Sequence, residues 1–169
     1  MKDARPTSGR VLLALFAILG SLDGLDFLDL FAGTGRVGIE ALRRGAASVV
    51  LAEALKDRAR AIGQAVPEES RERATVLALE LRRALAWLAR RGLAFDVVFA
   101  DPPYNEGWGA SLLGVRDLEK TVKSGGLLIV EHASREKLSV ASPWAVADAR
   151  TYGETALTFL RPETGAAPS

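Results

Sequence analysis

Short apolar runs alternate with helix-like segments along most of the chain, and this alternation restricts the fold more than any other feature. The runs are "LDFLDLFAG" (25–33), "SVVLAEA" (48–54), "RATVLALEL" (73–81), "FDVVFADPPY" (95–104) and "LLIVEHAS" (127–134). Between them lie "RVGIEALRRGA" (36–46), stopped by Gly45, and "LKDRARAIGQAV" (55–66), closed by Pro67. Next come "RRALAWLARRG" (82–92), with Leu85 and Leu88 on one face and arginines on the other, and "GASLLGVRDLEKTVKSGG" (109–126), a broken helical stretch ending at Gly125-Gly126. Strand and helix in alternation build an α/β domain with a mainly parallel sheet. An opening helix, "ARPTSGRVLLALFAILG" (4–20), capped by Thr7 or Ser8 and ended by Gly20, precedes the first strand. "WAVADARTYG" and "TALTFLRPE" read as a closing antiparallel hairpin through Gly153-Glu154. One domain is expected over residues 1–162, with 163–169 as a disordered tail.

Composition narrows the function classes. Apolar residues make up 49% of the 169, enough for a sizeable core, and 25% are charged, which excludes general disorder. The net charge of +1 advertises no global basic field, although Arg far outnumbers Lys. Arg suits bidentate phosphate contacts, but genomic base composition is the default explanation. With no cysteine and one histidine, disulfides, thiolate catalysis and Cys or His metal clusters drop out, and no metal site is expected. The apolar run "VLLALFAIL" (11–19) is shorter than the roughly 20 residues that span a bilayer and lacks a cleavage site. The expectation is a cytoplasmic, monomeric protein without a membrane segment.

Two loops share one edge of the expected sheet. Open parallel sheets bind ligands beyond the carboxyl ends of their strands, near the point where strand order reverses. The first loop, "DLFAGTGRVG" (29–38), carries Gly33-x-Gly35-x-x-Gly38 between a strand and a helix, the setting of a nucleotide-binding turn. Glu53 stands 20 residues after Gly33, at the end of the second strand, where a carboxylate can accept from both ribose hydroxyls. These features fit NAD, FAD or S-adenosylmethionine. Asp29 favours the last, because an acid inside the turn suits a cationic amino-acid headgroup and repels a pyrophosphate. The second loop is "ADPPYN". Prolines have a fixed φ and no N–H, so Pro102 and Pro103 hold Asp101 and Tyr104 in a preset relation. Asp101 and the carbonyl of Pro102 can both accept from one exocyclic amine and aim its lone pair at an electrophile, which is catalysis by positioning. Tyr104 can stack on the base that carries the amine.

"DLFAGTG" followed by "VVFADPPY" resembles the S-adenosylmethionine-dependent N-methyltransferases that act on exocyclic amines. From about Arg5 to Arg161 the chain resembles more closely the RsmD-type enzymes, which methylate N2 of a guanine in 16S ribosomal RNA. "RPTSGRVLLALF" is similar to that family's opening segment, and "RTYGETALTFL" to its closing hairpin. The resemblance implies a Rossmann-like S-adenosylmethionine-dependent methyltransferase fold, with a seven-stranded, mostly parallel sheet and an antiparallel C-terminal hairpin. It implies S-adenosyl-L-methionine as cofactor, and ribosomal RNA or an assembling small ribosomal subunit as partner. Asp29, Phe31, Gly33 and Gly35 would line the methionine end of the cofactor. Glu53 would hold its ribose, Glu80 at the end of the third strand would lie near the adenine, and Leu81 would follow in the same wall. Asp101, Pro102 and Tyr104 would hold the target guanine. Arg5, Thr7 and Arg10 would lie at the mouth, facing RNA phosphate or cofactor.

Some features depart from that pattern. Relatives usually carry a basic N-terminal hairpin before the Arg-Pro-Thr string, whereas this sequence starts four residues ahead of it. Leu12 and Leu13 replace charged residues, and Leu55 stands where an acid commonly caps the next helix. The alternatives are an adenine-N6 methyltransferase on DNA or RNA, which shares the Asp-Pro-Pro-aromatic string, and an inactive cofactor- or RNA-binding remnant. His132 reads as a partly buried, satisfied histidine rather than a substrate contact, and Glu131 beside it is undecided. Trp108 is balanced between stacking and core. Trp87 and Trp144 are expected in the core, and Arg82, Arg83, Arg90 and Arg91 on solvated faces.

Overall fold

A computed structural model of the chain describes residues 7–104 and 106–163. The tail lies outside the described residues except for Glu163, and Arg5 lies outside them as well. Five helices and seven strands follow in the order α1 (Gly9–Leu19), β1 (Asp26–Leu30), α2 (Arg36–Arg43), β2 (Ser48–Ala52), α3 (Lys56–Ala65), β3 (Ala74–Leu77), α4 (Leu81–Arg90), β4 (Phe95–Ala100), α5 (Trp108–Ser111), β5 (Val122–Ala133), β6 (Trp144–Tyr152) and β7 (Thr155–Pro162). The sheet order is β3-β2-β1-β4-β5-β7-β6. The first five strands pair in parallel, and β7 pairs antiparallel with both β5 and β6. From β1 the chain winds outward through β2 and β3, then returns to place β4 on the other side of β1. The strand order reverses between β1 and β4, so the loops that leave these strands open into the crevice where open α/β sheets take their ligands.

Alternation along each strand sends side chains to opposite faces. Phe27 of β1, Leu51 of β2, Phe99 of β4 and Ile129 of β5 pack on one face beneath α1, α2 and α3. Leu28 and Leu30, Val98 and Ala100, and Leu128 and Val130 pack on the other face, against α4 and the turns before β5. Ser8 is the cap of α1, accepting from the Val11 amide, and Gly20 ends that helix in the left-handed region at φ 69°. Thr7, the other candidate cap, is occupied elsewhere.

Two segments differ from the sequence expectation. β3 stops at Leu77, so Glu80 does not end a strand. It caps α4, accepting from the amides of Arg82 and Arg83. A Ser/Thr/Asp/Asn preference at this position hid a Glu in the same role. The fifth strand begins at Val122, five residues before the apolar run that announces it. Its register against β4 shifts between Phe95 and Val97, and Gly125-Gly126 lies in the resulting irregularity. A Cβ on Gly126 would press on the Lys123 carbonyl oxygen at 2.8 Å, so the bulge needs glycine there. Trp144 is buried, its indole N–H donating to the Leu113 carbonyl at 2.9 Å. Trp87 is only half-buried, under the Arg91 guanidinium.

Candidate active site

A cleft of about 1730 Å³ opens at the carboxyl ends of β1, β2, β4 and β5. Its floor begins with Asp29. This carboxylate, 1% exposed, accepts from the Gly38 amide at 3.0 Å. Gly38 is the third residue of α2, so the bond satisfies one of the amides that every helix start leaves unpartnered. The approach depends on glycine: a Cβ there would meet Leu51 Cδ2 at 2.5 Å and Asp29 Oδ2 at 3.2 Å. Gly35 caps α2 at φ 81°, packed under Ile62, and does not line the cleft. Gly33 does line it, at φ 60°, where a Cβ would meet only the Phe31 carbonyl oxygen, at 3.9 Å. Its amide donates to Glu53 Oε2 at 3.2 Å. Glu53, 6% exposed, also has Arg58 at 3.9 Å.

Phe31, between these groups, has φ 58°. A bulky side chain in the left-handed region is strained by about 1–3 kcal/mol, and such strain gathers at ligand sites. The ring meets Trp108 edge-on, with centroids 5.5 Å apart. Trp108 therefore belongs to the cleft wall, as do Leu79, Glu80 and Leu81. Glu80 is exposed and its carboxylate is committed to capping α4.

On the other side of the switch point, Asp101, Pro102, Pro103 and Tyr104 leave β4 and line the same cleft. Register continues from Ala100↔Val130, which places Asp101 level with Glu131 of β5. Glu131, 4% exposed, accepts from the Thr7 hydroxyl at 2.9 Å, and Thr7 also bonds the Asp101 side chain. The Thr7 carbonyl in turn accepts from Arg36 at 2.8 Å. This lashes the start of α1 to α2 and to the β4–β5 edge. Arg10 is exposed on α1 and does not line the cleft. His132 faces away, with Nε2 2.8 Å from the Thr158 hydroxyl and Nδ1 2.9 Å from the Ala133 carbonyl, so both ring nitrogens are satisfied.

Asp29, Glu53, Asp101 and Glu131 thus line one cleft, and burial perturbs three of them, Asp29, Asp101 and Glu131. Burial pushes Asp29 up to about 7, against the pull of the Gly38 amide and aided by the charges of Glu53 and Glu131. Burial also raises Asp101 well above the carboxylate range, with Glu131 and Asp29 adding to the effect and Thr7 opposing it. Glu131 is raised by burial and pulled down by Thr7. Perturbed acids in a cleft mark a functional site, and this set favours a positively charged guest. Among the described residues, no three of His, Asp or Glu converge to hold a metal ion. The arrangement fits an organic cation with hydroxyls near Glu53 and an adenine-sized group against Leu79 and Leu81. Glu131 and Arg36 were not singled out by motif, because no local pattern marks a residue whose partner lies 124 or 29 positions away.

The family model described as Conserved hypothetical protein 95 matches residues 1–161. The chain belongs to this family, the RsmD-type methyltransferases. The chain is 30% identical to the ribosomal RNA small subunit methyltransferase D of Escherichia coli over 165 residues, covering 94% of this chain and 80% of that protein. It is 28% identical to the enzyme of the same name from Buchnera aphidicola, covering 85% and 75%. A solved structure of a hypothetical protein from Thermus thermophilus superposes with a TM-score of 0.69 at 32% identity, covering 93% of this chain and 88% of that one. The RsmD-type fold, with its mostly parallel seven-stranded sheet and antiparallel C-terminal strands, is therefore the fold of this protein.

Proposed function

We propose that this RsmD-type protein transfers a methyl group from S-adenosyl-L-methionine to the exocyclic N2 of a guanine in 16S ribosomal RNA, in the cytoplasm. The observation that carries the reading is the placement of Asp101-Pro102-Pro103-Tyr104 and the Asp29–Gly33–Glu53 group at one switch point, facing one cleft. The named relatives act on ribosomal RNA of the small subunit.

S-adenosylmethionine, when bound, supplies an electrophilic methyl group on a positively charged sulfur. Asp29 and the open backbone at Gly33 receive the amino-acid end, Glu53 receives the ribose hydroxyls, and Leu79 and Leu81 flank the adenine. Phe31 and Trp108 close the wall between the two halves of the cleft. Asp101 and the Pro102 carbonyl accept from the target amine and direct its lone pair along the line of attack. Tyr104 holds the base by its face. The amine is a weak base, so its proton would leave as or after the N–C bond forms, while the sulfur–methyl bond breaks and the sulfur keeps its electron pair. Asp101, held above the usual carboxylate range by burial and Glu131, is a better proton acceptor than an ordinary carboxylate and passes the proton to solvent.

The test is transfer of labelled methyl from S-adenosylmethionine to ribosomal RNA and to 30S particles from cells lacking this gene, with the product nucleoside identified by mass spectrometry. N2-methylguanosine is expected, and N6-methyladenosine overturns the guanine reading. Asp101→Ala is expected to lose at least 100-fold in rate while keeping cofactor affinity, in line with roughly 10²–10⁴ for general acid–base groups. Unchanged activity in that variant refutes the mechanism.

A further inference from the structure

The outer face of α4 carries a group of residues that the methyl-transfer site does not use. Residues 81–95 contain no acid and hold Arg82, Arg83, Arg90 and Arg91. All four are exposed, while Leu81, Ala84, Leu85 and Leu88 take the buried face. Among the described residues none of the four pairs with a carboxylate, whereas Arg43, Arg44, Arg58 and Arg150 each do. Trp87 lies half-buried on the same outer side. The Arg91 guanidinium covers its ring at 3.7 Å, and Arg82 lies over Trp108 of the cleft wall at 5.4 Å. A second, shallower groove of about 440 Å³ runs along this face between Arg82, Arg83, Trp87 and Arg90. Leu79 lines both this groove and the cleft, so the two adjoin at that residue. The net charge of the chain is only +1, which makes the concentration of unpaired cations here local.

We propose that the α4 face formed by Arg82, Arg83, Trp87 and Arg90 is the docking track for the single-stranded RNA that flanks the target nucleotide. The inference rests on the RNA reading above and deepens it. Cations at positions 83 and 90, two turns and about 10.5 Å apart on one helix face, can meet two phosphates of one strand. The Trp87 ring, one face of which Arg91 covers, lines the groove with its remaining surface and offers a base a stacking contact there, the combination of cation and aromatic used by sequence-tolerant single-strand binders. Arg82, stacked on Trp108, stands where the strand turns from the track into the cleft. Charge complementarity selects a polyanion, and the aromatic between the arginines selects one with unpaired bases over a duplex.

The test measures binding of fluorescent single-stranded and duplex fragments of 16S ribosomal RNA by anisotropy, across a salt series, for the full chain and for Arg83→Ala/Arg90→Ala. Each lost phosphate contact lowers the salt slope by about 0.7 for a single strand. The double variant is therefore expected to lose about 1.4 from the slope and roughly tenfold in affinity near 0.1 M salt. Its cofactor affinity, measured by calorimetry, reports that the domain is folded. Trp87→Leu is expected to weaken single-strand binding several-fold with the slope unchanged, since it removes stacking and no charge. A double variant that matches the parent in slope and affinity overturns the track while leaving RNA methylation standing. A loss confined to the duplex overturns the single-strand assignment. A parent protein that binds neither fragment overturns the track, and methyl transfer to 30S particles decides the RNA reading separately.

Discussion

Asp29→Asn should make the ligand-free protein more stable above neutral pH, although it removes a buried hydrogen-bonded carboxylate. The Asp29 carboxyl titrates at about 7 in the fold and at 3.8 in an ordinary setting. Between these values the folded chain binds more protons than the unfolded chain, so stability falls as pH rises through that window. At about 1.36 kcal/mol per pH unit, a gap of roughly three units amounts to about 4 kcal/mol, complete only above pH 7. Full burial leaves little solvent to screen it. Asparagine keeps an oxygen for the Gly38 amide and carries no proton to lose, so this part of the pH dependence vanishes in the variant. Urea melts of both proteins at pH 4.5, 6 and 8 measure the difference. It should be small at pH 4.5 and grow to several kcal/mol in favour of the variant at pH 8. Saturating S-adenosylmethionine should narrow the gap, because a cation at Asp29 stabilises the parent by about 2.7 kcal/mol at a hundredfold excess over Kd and grips the variant less. A stability difference that stays constant with pH refutes the electrostatic account of the floor of the cleft.

Gly38→Ala should destabilise the domain by about 1–3 kcal/mol, since the new methyl must displace the fully buried Leu51; thermal melts read it as a fall in Tm. Glu53→Gln keeps an acceptor for the Gly33 amide and loses the charge, so cofactor Kd in calorimetry should rise about tenfold, the equivalent of ~1.4 kcal/mol, with Tm nearly unchanged. Trp144→Phe strands the Leu113 carbonyl and should cost about 1–3 kcal/mol in denaturant melts without touching cofactor affinity.

The elements that set the fold were legible because each has a local signature. Short apolar runs mark the first five strands, helical patterns the first four helices and two further runs the closing hairpin, and the glycine loop and the Asp-Pro-Pro-Tyr string point to one edge of the sheet. Misreadings fell where tertiary pairing outvotes composition. Val122 to Gly126 resembles the frayed end of a helix, yet β4 offers it a parallel partner and turns it into strand. Glu80 resembles the end of a strand, yet the next helix takes its carboxylate. Arg10 lies on the solvent-facing side of α1, outside the lining of the cleft. Glu131 was visible only as one acid after an apolar run. Its significance depends on Thr7 arriving from the far end of the chain.

The Thr7–Glu131 bond has a consequence for the order in which the protein comes into being. Contacts this distant in sequence form late, because the loop they close is long and its closure costs entropy before the contact returns anything. Asp29, Gly33 and Glu53 can come together once the first two strands pair. The half of the cleft formed by Asp101 and Glu131 waits for β5, and β5 in turn for β7, which covers its outer edge. A nascent or partly unfolded chain therefore has the makings of the proposed cofactor side of the cleft before it has the proposed amine side. Methylation competence should appear as an all-or-none property of the finished sheet, and protection of the β5 and β7 amides from hydrogen exchange should rise in step with it.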